Sequence, residues 1–246
     1  MTGSGFQPES GDPATDRACI FDVDGVLLAS PHERAWREAL RGLADPARFT
    51  TALYQAHVAG KSRLAGARAA LIALGVPDAA RLAAGYAAAK QGCLDTIITA
   101  EGVTAFADAL RFVRALGARG WPMAAASASK NAERMMRRVP LDEGRTLLDA
   151  FAVKVCGRDL RHGKPDPEIF HLAASELRVE STRCIVFEDA PAGVQAARAA
   201  RMIAVGIARL GDAAGLRAAG AHRVVASLDD LRVDELALLR PSEGAA

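Results

Sequence analysis

The hydrophobic pattern of this chain changes character twice. A short apolar run, Ala18-Cys19-Ile20-Phe21, stops at Asp22-Val23-Asp24-Gly25 and predicts a strand leaving into a sharp turn. From His32 to about Ile98, Ala, Leu and Arg dominate while β-branched and aromatic residues are sparse. About four helices are expected there, broken at Asp45-Pro46, around Gly60 and at Gly75-Val76-Pro77-Asp78. Beyond that, strands and helices alternate. Helices are predicted at 103–116, 131–138, 167–177 and 192–200, and at the C-terminus. Strands are predicted at 121–127, 151–155, 184–187, 203–207 and 224–225. Such alternation predicts an α/β fold, a doubly wound parallel sheet of Rossmann-like build with helices on both faces. The expected organisation is a disordered leader at 1–15, an α/β core at 16–30 and 99–240, and an all-helical domain inserted at 31–98.

Composition narrows the classes. With 246 residues the chain suffices for one large domain carrying an insertion, and 50% hydrophobic with 24% charged residues is ordinary for a soluble globular protein. A formal charge of +2 is too mild to argue for a nucleic-acid partner. No apolar run approaches the roughly 20 residues of a membrane span, and residues 1–15 lack the pattern of a signal peptide. Cys19, Cys93, Cys156 and Cys184 are scattered, and two lie in apolar runs, which fits buried thiols in a reducing compartment. A cytoplasmic monomer is the expectation. Lysine occurs only at positions 61, 90, 130, 154 and 164, so each lysine is more informative than usual.

Candidate chemistry gathers at the ends of the predicted strands. Asp22 and Asp24, spaced by two, point to the same side of a strand end, and Gly25 permits the turn that exposes them. Ligands of an open α/β sheet bind at that edge. Two acids held there suit a hard cation, or a nucleophile beside a general acid/base. The plainer reading is a strand that exits into a polar turn; Asp-x-Asp-Gly also resembles the start of a calcium loop, but position 34 is Arg34 where that loop needs glutamate. Ser127, followed by Ala128-Ser129-Lys130-Asn131, offers a hydroxyl and amides for an oxyanion or phosphate, although a serine cap explains it alone. Lys164 before Pro165 places an ammonium on a loop near the edge, or is a solvated lysine. Glu188-Asp189 ends a buried strand, where a cation would offset the cost of burial and where acids could equally cap the next helix. The combination of all four makes coincidence a poor explanation.

In this combination the sequence resembles the haloacid dehalogenase superfamily of aspartyl phosphotransferases over about residues 17–231. The family's D-x-D-G, serine, lysine and acidic pair look like Asp22–Gly25, Ser127, Lys164 and Glu188-Asp189. Within it, the β-phosphoglucomutase group is the most similar. Ser127 to Asn131 resembles that group's phosphate and substrate loop. His32-Glu33-Arg34-Ala35-Trp36 resembles its hinge motif, and Gly60-Lys61-Ser62-Arg63 its cap loop, whose arginine grips the distal phosphate. The segment Ala29-Ser30-Pro31 is shorter than the family pattern and lacks its aspartate.

The resemblance implies a Mg2+-dependent enzyme acting on a small phosphorylated substrate, a sugar phosphate. Asp22 would be nucleophile and metal ligand, with Asp24, Glu188 and Asp189 completing the metal set. Asp24 would move the proton, and Ser127, Ala128 and Lys164 would hold the transferred phosphoryl group. His32, Trp36, Gly60, Lys61, Arg63, Ser129, Lys130 and Asn131 would hold the substrate beneath the cap. A mutase converting β-glucose 1-phosphate to glucose 6-phosphate is favoured, with a phosphomonoester phosphatase as the alternative. A non-catalytic phospho-acceptor module clusters similar groups but lacks a long helical insertion, and no G-x-G-x-x-G follows the first strand.

Overall fold

The computed structural model describes residues 16–240. The predicted leader at 1–15 lies outside them. Six parallel strands form the core sheet: β1 (Ala18–Phe21), β2 (Met123–Ser127), β3 (Val153–Cys156), β4 (Cys184–Glu188), β5 (Ile203–Ile207) and β6 (Arg223–Val225). Their order is β6-β5-β4-β1-β2-β3. The order reverses direction around β1 and β4, so the loops leaving these two neighbours diverge and open a crevice at their carboxyl ends.

Burial follows the strand period of two. Cys19 and Phe21 point into one apolar layer with Ala125, Ile185 and Phe187, whereas Ala18 and Ile20 join Ala124, Ala126 and Val186 in the other. The first layer is covered by α5 (Ala107–Ala118), through Phe112, Val113 and Leu116. The second is covered by α7 (Glu168–Leu177), α8 (Pro191–Ala199) and α9 (Ala213–Ala218). Phe21 stacks on Phe187 with centroids 4.5 Å apart, and Phe112 meets both rings edge-on. This cluster anchors β1 and β4 one residue before their carboxylates.

Between β1 and β2 run α1 (His32–Glu38), α2 (Thr51–His57), α3 (Arg63–Ala73) and α4 (Ala79–Glu101), which share an apolar cluster around Trp36, Leu40, Phe49, Leu71 and Tyr86. The far end of α4 returns to the core, where Leu94, Ile97 and Ile98 join the first layer. Entry and exit of the insertion are tied by a two-residue antiparallel ribbon, Leu28–Ala29 against Thr104–Ala105.

That ribbon corrects one expectation. The amphipathic period suggests a helix from residue 103, yet 104–105 pair as strand and α5 begins at Ala107. The C-terminal helix is also shorter than the pattern suggests, α10 spanning just Val233–Leu236. A small hairpin, Pro140–Asp142 against Arg145–Thr146, had no recognised sequence signal. His222, in the loop before β6, is half-buried and its Nδ1 accepts from the Ala204 N–H at 2.9 Å.

A long-range network braces the turn after β1. Arg209 donates to the carbonyls of Gly25 (3.1 Å) and Val26 (3.0 Å), lies 3.8 Å over the Phe106 ring, and pairs with buried Asp108 at 2.9 Å. Asp108 also accepts from the Ser227 hydroxyl and the Leu228 N–H. Burial alone would raise the Asp108 carboxyl, but these donors outweigh it and hold it at about 2. Replacing Asp108 by Ala should cost about 3 kcal/mol at neutral pH, because Arg209 is left without its partner. A carboxyl depressed by folding stabilises the protein above its ordinary range of about 4. The wild-type advantage in denaturant melts should therefore shrink as pH falls from there through about 2.

Candidate active site

The turn after β1 requires glycine. Gly25 has φ +91, and a Cβ there would lie 2.0 Å from the Asp189 carboxylate, so the loops after β1 and β4 touch through the missing side chain. Gly193, at the start of α8, is equally constrained, since its Cβ would fall 2.0 Å from Glu188. Carboxylate oxygens of Asp22, Glu188 and Asp189 all lie within 4.8 Å of one another. Lys164 donates to Asp22 Oδ1 at 2.5 Å and to Glu188 Oε1. Lys164 and Glu188 are enclosed beneath Asp22 and do not line the cleft.

Charge does not balance here. One ammonium faces three acids, with Asp24 nearby. Burial drives the Asp22 carboxyl well above its ordinary range; Lys164 opposes this, and the neighbouring acids reinforce it. Asp189 is pushed up to about 8 by burial and then by the Glu188 charge. Lys164 is held protonated: burial disfavours its charge, but the two carboxylates around it win. Convergent oxygen ligands, excess negative charge and a close approach reserved by Gly25 fit a hard divalent cation.

Asp24 stands apart from that cluster. Its Oδ2 accepts from the Ser127 hydroxyl at 3.2 Å, and its Oδ1 lies 3.2 Å from His32 Nε2. The His32 approach is off-axis: these two buried atoms lie close without an aligned hydrogen bond. His32 Nδ1 is 2.5 Å from the buried Lys90 ammonium on α4. Burial works against an ionised Asp24, but His32, the Ser30 side chain and Lys90 overcome it and hold the carboxyl at about 2. Lys90 itself is lowered to about 8 by burial, with Arg63 adding to the effect and Asp24 opposing it.

The Ser127 loop is built by local bonds. Ser127 Oγ accepts from Ser129 N–H at 3.0 Å, and Ser129 Oγ accepts from Asn131 N–H at 3.2 Å. Asn131 exchanges side-chain bonds with Gln91 of α4. Lys130 pairs with Asp159, exposed on the loop after β3, at 2.9 Å. A cleft of about 510 Å³ runs between this loop and the insertion, lined on one side by Asp22, Asp24, Ser127 to Asn131 and Asp189, and on the other by His32, Trp36, Gly60, Lys61, Arg63 and Lys90. Trp36 is buried against Tyr86, with the Lys90 ammonium 5.1 Å from its ring. Gly60 rests against Lys164 and Ala190, so the insertion meets the core at this point.

Every residue singled out from the sequence thus gathers around one sheet edge. Sequence reasoning missed Ser30, Tyr54, Gln55, Lys90, Arg158 and Asp159, which line the same cleft or the cavity beside it. Lys90 had a signal, being one of few lysines on an Ala-rich face. Tyr54 and Gln55 had none beyond preceding the Gly60 loop.

A Rossmann-like core with an acidic cluster at its switch point, a lysine beneath it and an inserted helical unit fits the class of phosphoryl-transfer enzymes. The family model for haloacid dehalogenase-like hydrolases matches residues 17–201, and the chain belongs to that family. A β-phosphoglucomutase from Mycobacterium bovis is 36% identical over 90% of this chain and 93% of its own. The fructose-1-phosphate phosphatase YqaB of Escherichia coli is 32% identical over 76% of this chain and 94% of its own. Among solved structures, an archaeal β-phosphoglucomutase from a hyperthermophilic Pyrococcus has a TM-score of 0.68 at 28% identity, covering 89% of this chain and 96% of that one. The protein is a phosphotransferase or phosphomonoester hydrolase similar to the β-phosphoglucomutases. Among the described residues no helix is long and apolar enough to cross a membrane.

A cation can bind the cluster only after the Asp189 proton leaves. Since that carboxyl is raised to about 8, Mg2+ affinity measured by calorimetry should climb from pH 6 to about 8 and level off above it. A flat profile would contradict a metal site that must expel the Asp189 proton.

Proposed function

We propose that this protein is a Mg2+-dependent sugar-phosphate mutase, converting β-glucose 1-phosphate to glucose 6-phosphate through a bisphosphate, with residues 31–98 acting as a cap. The reading rests on one observation: the cleft carries cations on both sides of the space before Asp22. Lys61 and Arg63 come from the insertion, and Lys130 from the core. A hydrolase needs to grip one phosphoryl group, whereas a mutase must hold a second while the first reacts.

Asp22, Glu188 and Asp189, with the Asp24 backbone carbonyl, would hold Mg2+, which supplies positive charge between a carboxylate nucleophile and an anionic phosphoryl group. Asp22 attacks phosphorus and forms an aspartyl phosphate, splitting one transfer into two steps. Asp24, set beside His32 and outside the metal cluster, rests ionised, so it first takes a proton from the incoming hydroxyl and then gives it to the leaving oxygen of the next transfer. Ser127, the amides at Ala128 and the Lys164 ammonium hold the equatorial oxygens as charge builds. Arg63, Lys61, Ser129, Lys130 and Asn131 hold the distal phosphate, while His32 and Trp36 line the cap side and seating of the cap excludes water. Nucleic acid has no part in this reading.

The second reading is a sugar-phosphate phosphatase, in which water takes the place of the acceptor hydroxyl. It is favoured by the similarity to a fructose-1-phosphate phosphatase. A coupled assay decides between them, with Mg2+ and a glucose bisphosphate primer, scoring glucose 6-phosphate and inorganic phosphate separately. The mutase reading expects isomerised product and little phosphate; phosphate alone contradicts it. Arg63→Ala should lower isomerisation roughly 100-fold, the scale of one charge-assisted hydrogen bond, and spare any phosphate release. Equal loss of both activities would remove Arg63 from the distal subsite.

A further inference from the structure

A second cavity, of about 340 Å³, shares Asp24, Tyr54 and Asp189 with the cleft and is also lined by Gly25 and Gln55. Gln55 belongs to α2 of the insertion and is 7% exposed. Its side-chain amide lies within hydrogen-bonding reach of the Asp189 carboxylate. Once a cation holds Asp189 as a carboxylate, that group only accepts, so in the bound state the Gln55 NH2 must face Asp189 and the carbonyl must face away. That carbonyl, Oε1, is buried and has no hydrogen-bond partner. A buried amide oxygen left without a donor is unfavourable, and the ionised Asp189 oxygens of the cation-bound site, being acceptors, offer it nothing. A donor is missing from this spot, next to the carboxylate cluster.

Resting on the reading of Asp22, Glu188 and Asp189 as a Mg2+ site, we infer that Gln55 accepts a hydrogen bond from a water molecule bound to that cation. Mg2+ gives up its waters reluctantly and usually keeps several when protein carboxylates hold it. A metal-bound water is a strong donor, and the cavity beside Asp189 has room for one. Gln55 then clasps the site at two points, through its NH2 on a ligand carboxylate and through Oε1 on a ligand water. Because Gln55 arrives with the insertion, seating of that unit and cation binding are linked. Each favours the other by the same factor.

The test is Mg2+ affinity, measured by calorimetry on the metal-free protein without substrate. Wild type should bind, and Gln55→Met, which keeps the length but removes donor and acceptor, should bind about tenfold more weakly, within the range seen when partners of metal ligands are removed. Gln55→Glu, which keeps an acceptor, should bind at least as tightly as wild type. Circular dichroism checks the fold, and Gln55→Leu substitutes for the methionine variant should that one fail to fold. Wild-type affinity in the apolar variant would overturn the inference while leaving the metal site standing. A glutamate variant as weak as the methionine one would overturn it too, since Gln55 would then serve packing or Asp189 alone. Absence of Mg2+ binding in the wild type would instead remove the metal reading, and this inference with it.

Discussion

Two buried carboxylates share one buried ammonium at the carboxyl edge of β1 and β4, with half-buried Asp189 beside them, and much of the surrounding structure answers to that imbalance. The sheet order sets two diverging loops side by side, and stacked Phe21 and Phe187 fix where each begins. Glycines at 25 and 193 let carboxylates approach backbone where a methyl group would collide. Lys164 holds the cluster together from below but cannot neutralise it. The deficit suits the edge to a divalent cation, and the proposed reaction uses that cation to draw in phosphate.

In the proposed reaction, proton transfer is segregated from this charge. Asp24 lies two residues from Asp22 but faces Ser127 and His32, with Lys90 behind the histidine. Three of the groups that tune Asp24 thus come from the insertion or its entry: Ser30, His32 and Lys90. Asp24 owes part of its electrostatic setting to the insertion, and displacing that unit would change it. The same insertion brings Lys61 and Arg63 to the cleft and Gln55 to Asp189. Recognition and chemistry therefore draw on one set of contacts between insertion and core.

Much of this was legible in the sequence, for a physical reason. Parallel strands buried on both faces must be short apolar runs, and groups at their ends must leave them abruptly, so Asp22, Ser127 and Glu188 stand out by position alone. The helical insertion was equally plain from its want of β-branched residues. What stayed hidden depends on distant pairing. Residues 104–105 look helical until Leu28–Ala29 is beside them. Nothing local tells that Arg209 reaches Gly25 or that Asp108 caps the Ser227 turn. Tyr54, Gln55 and Lys90 lie on helices whose inward faces cannot be assigned to a site until the helices are docked. Lys164 was placed at the edge, but its burial beneath Asp22 was not foreseen.

The central claim is that the position-22 carboxylate bonds to phosphorus when a divalent cation is present. Reductive trapping tests it most directly: incubate the protein with a phosphoryl donor, quench with borohydride, and map the peptide in which an aspartate has become homoserine. Conversion at position 22 with Mg2+, and none after chelation, is the expected result. Conversion at position 24, or turnover with no trapped residue, would contradict it.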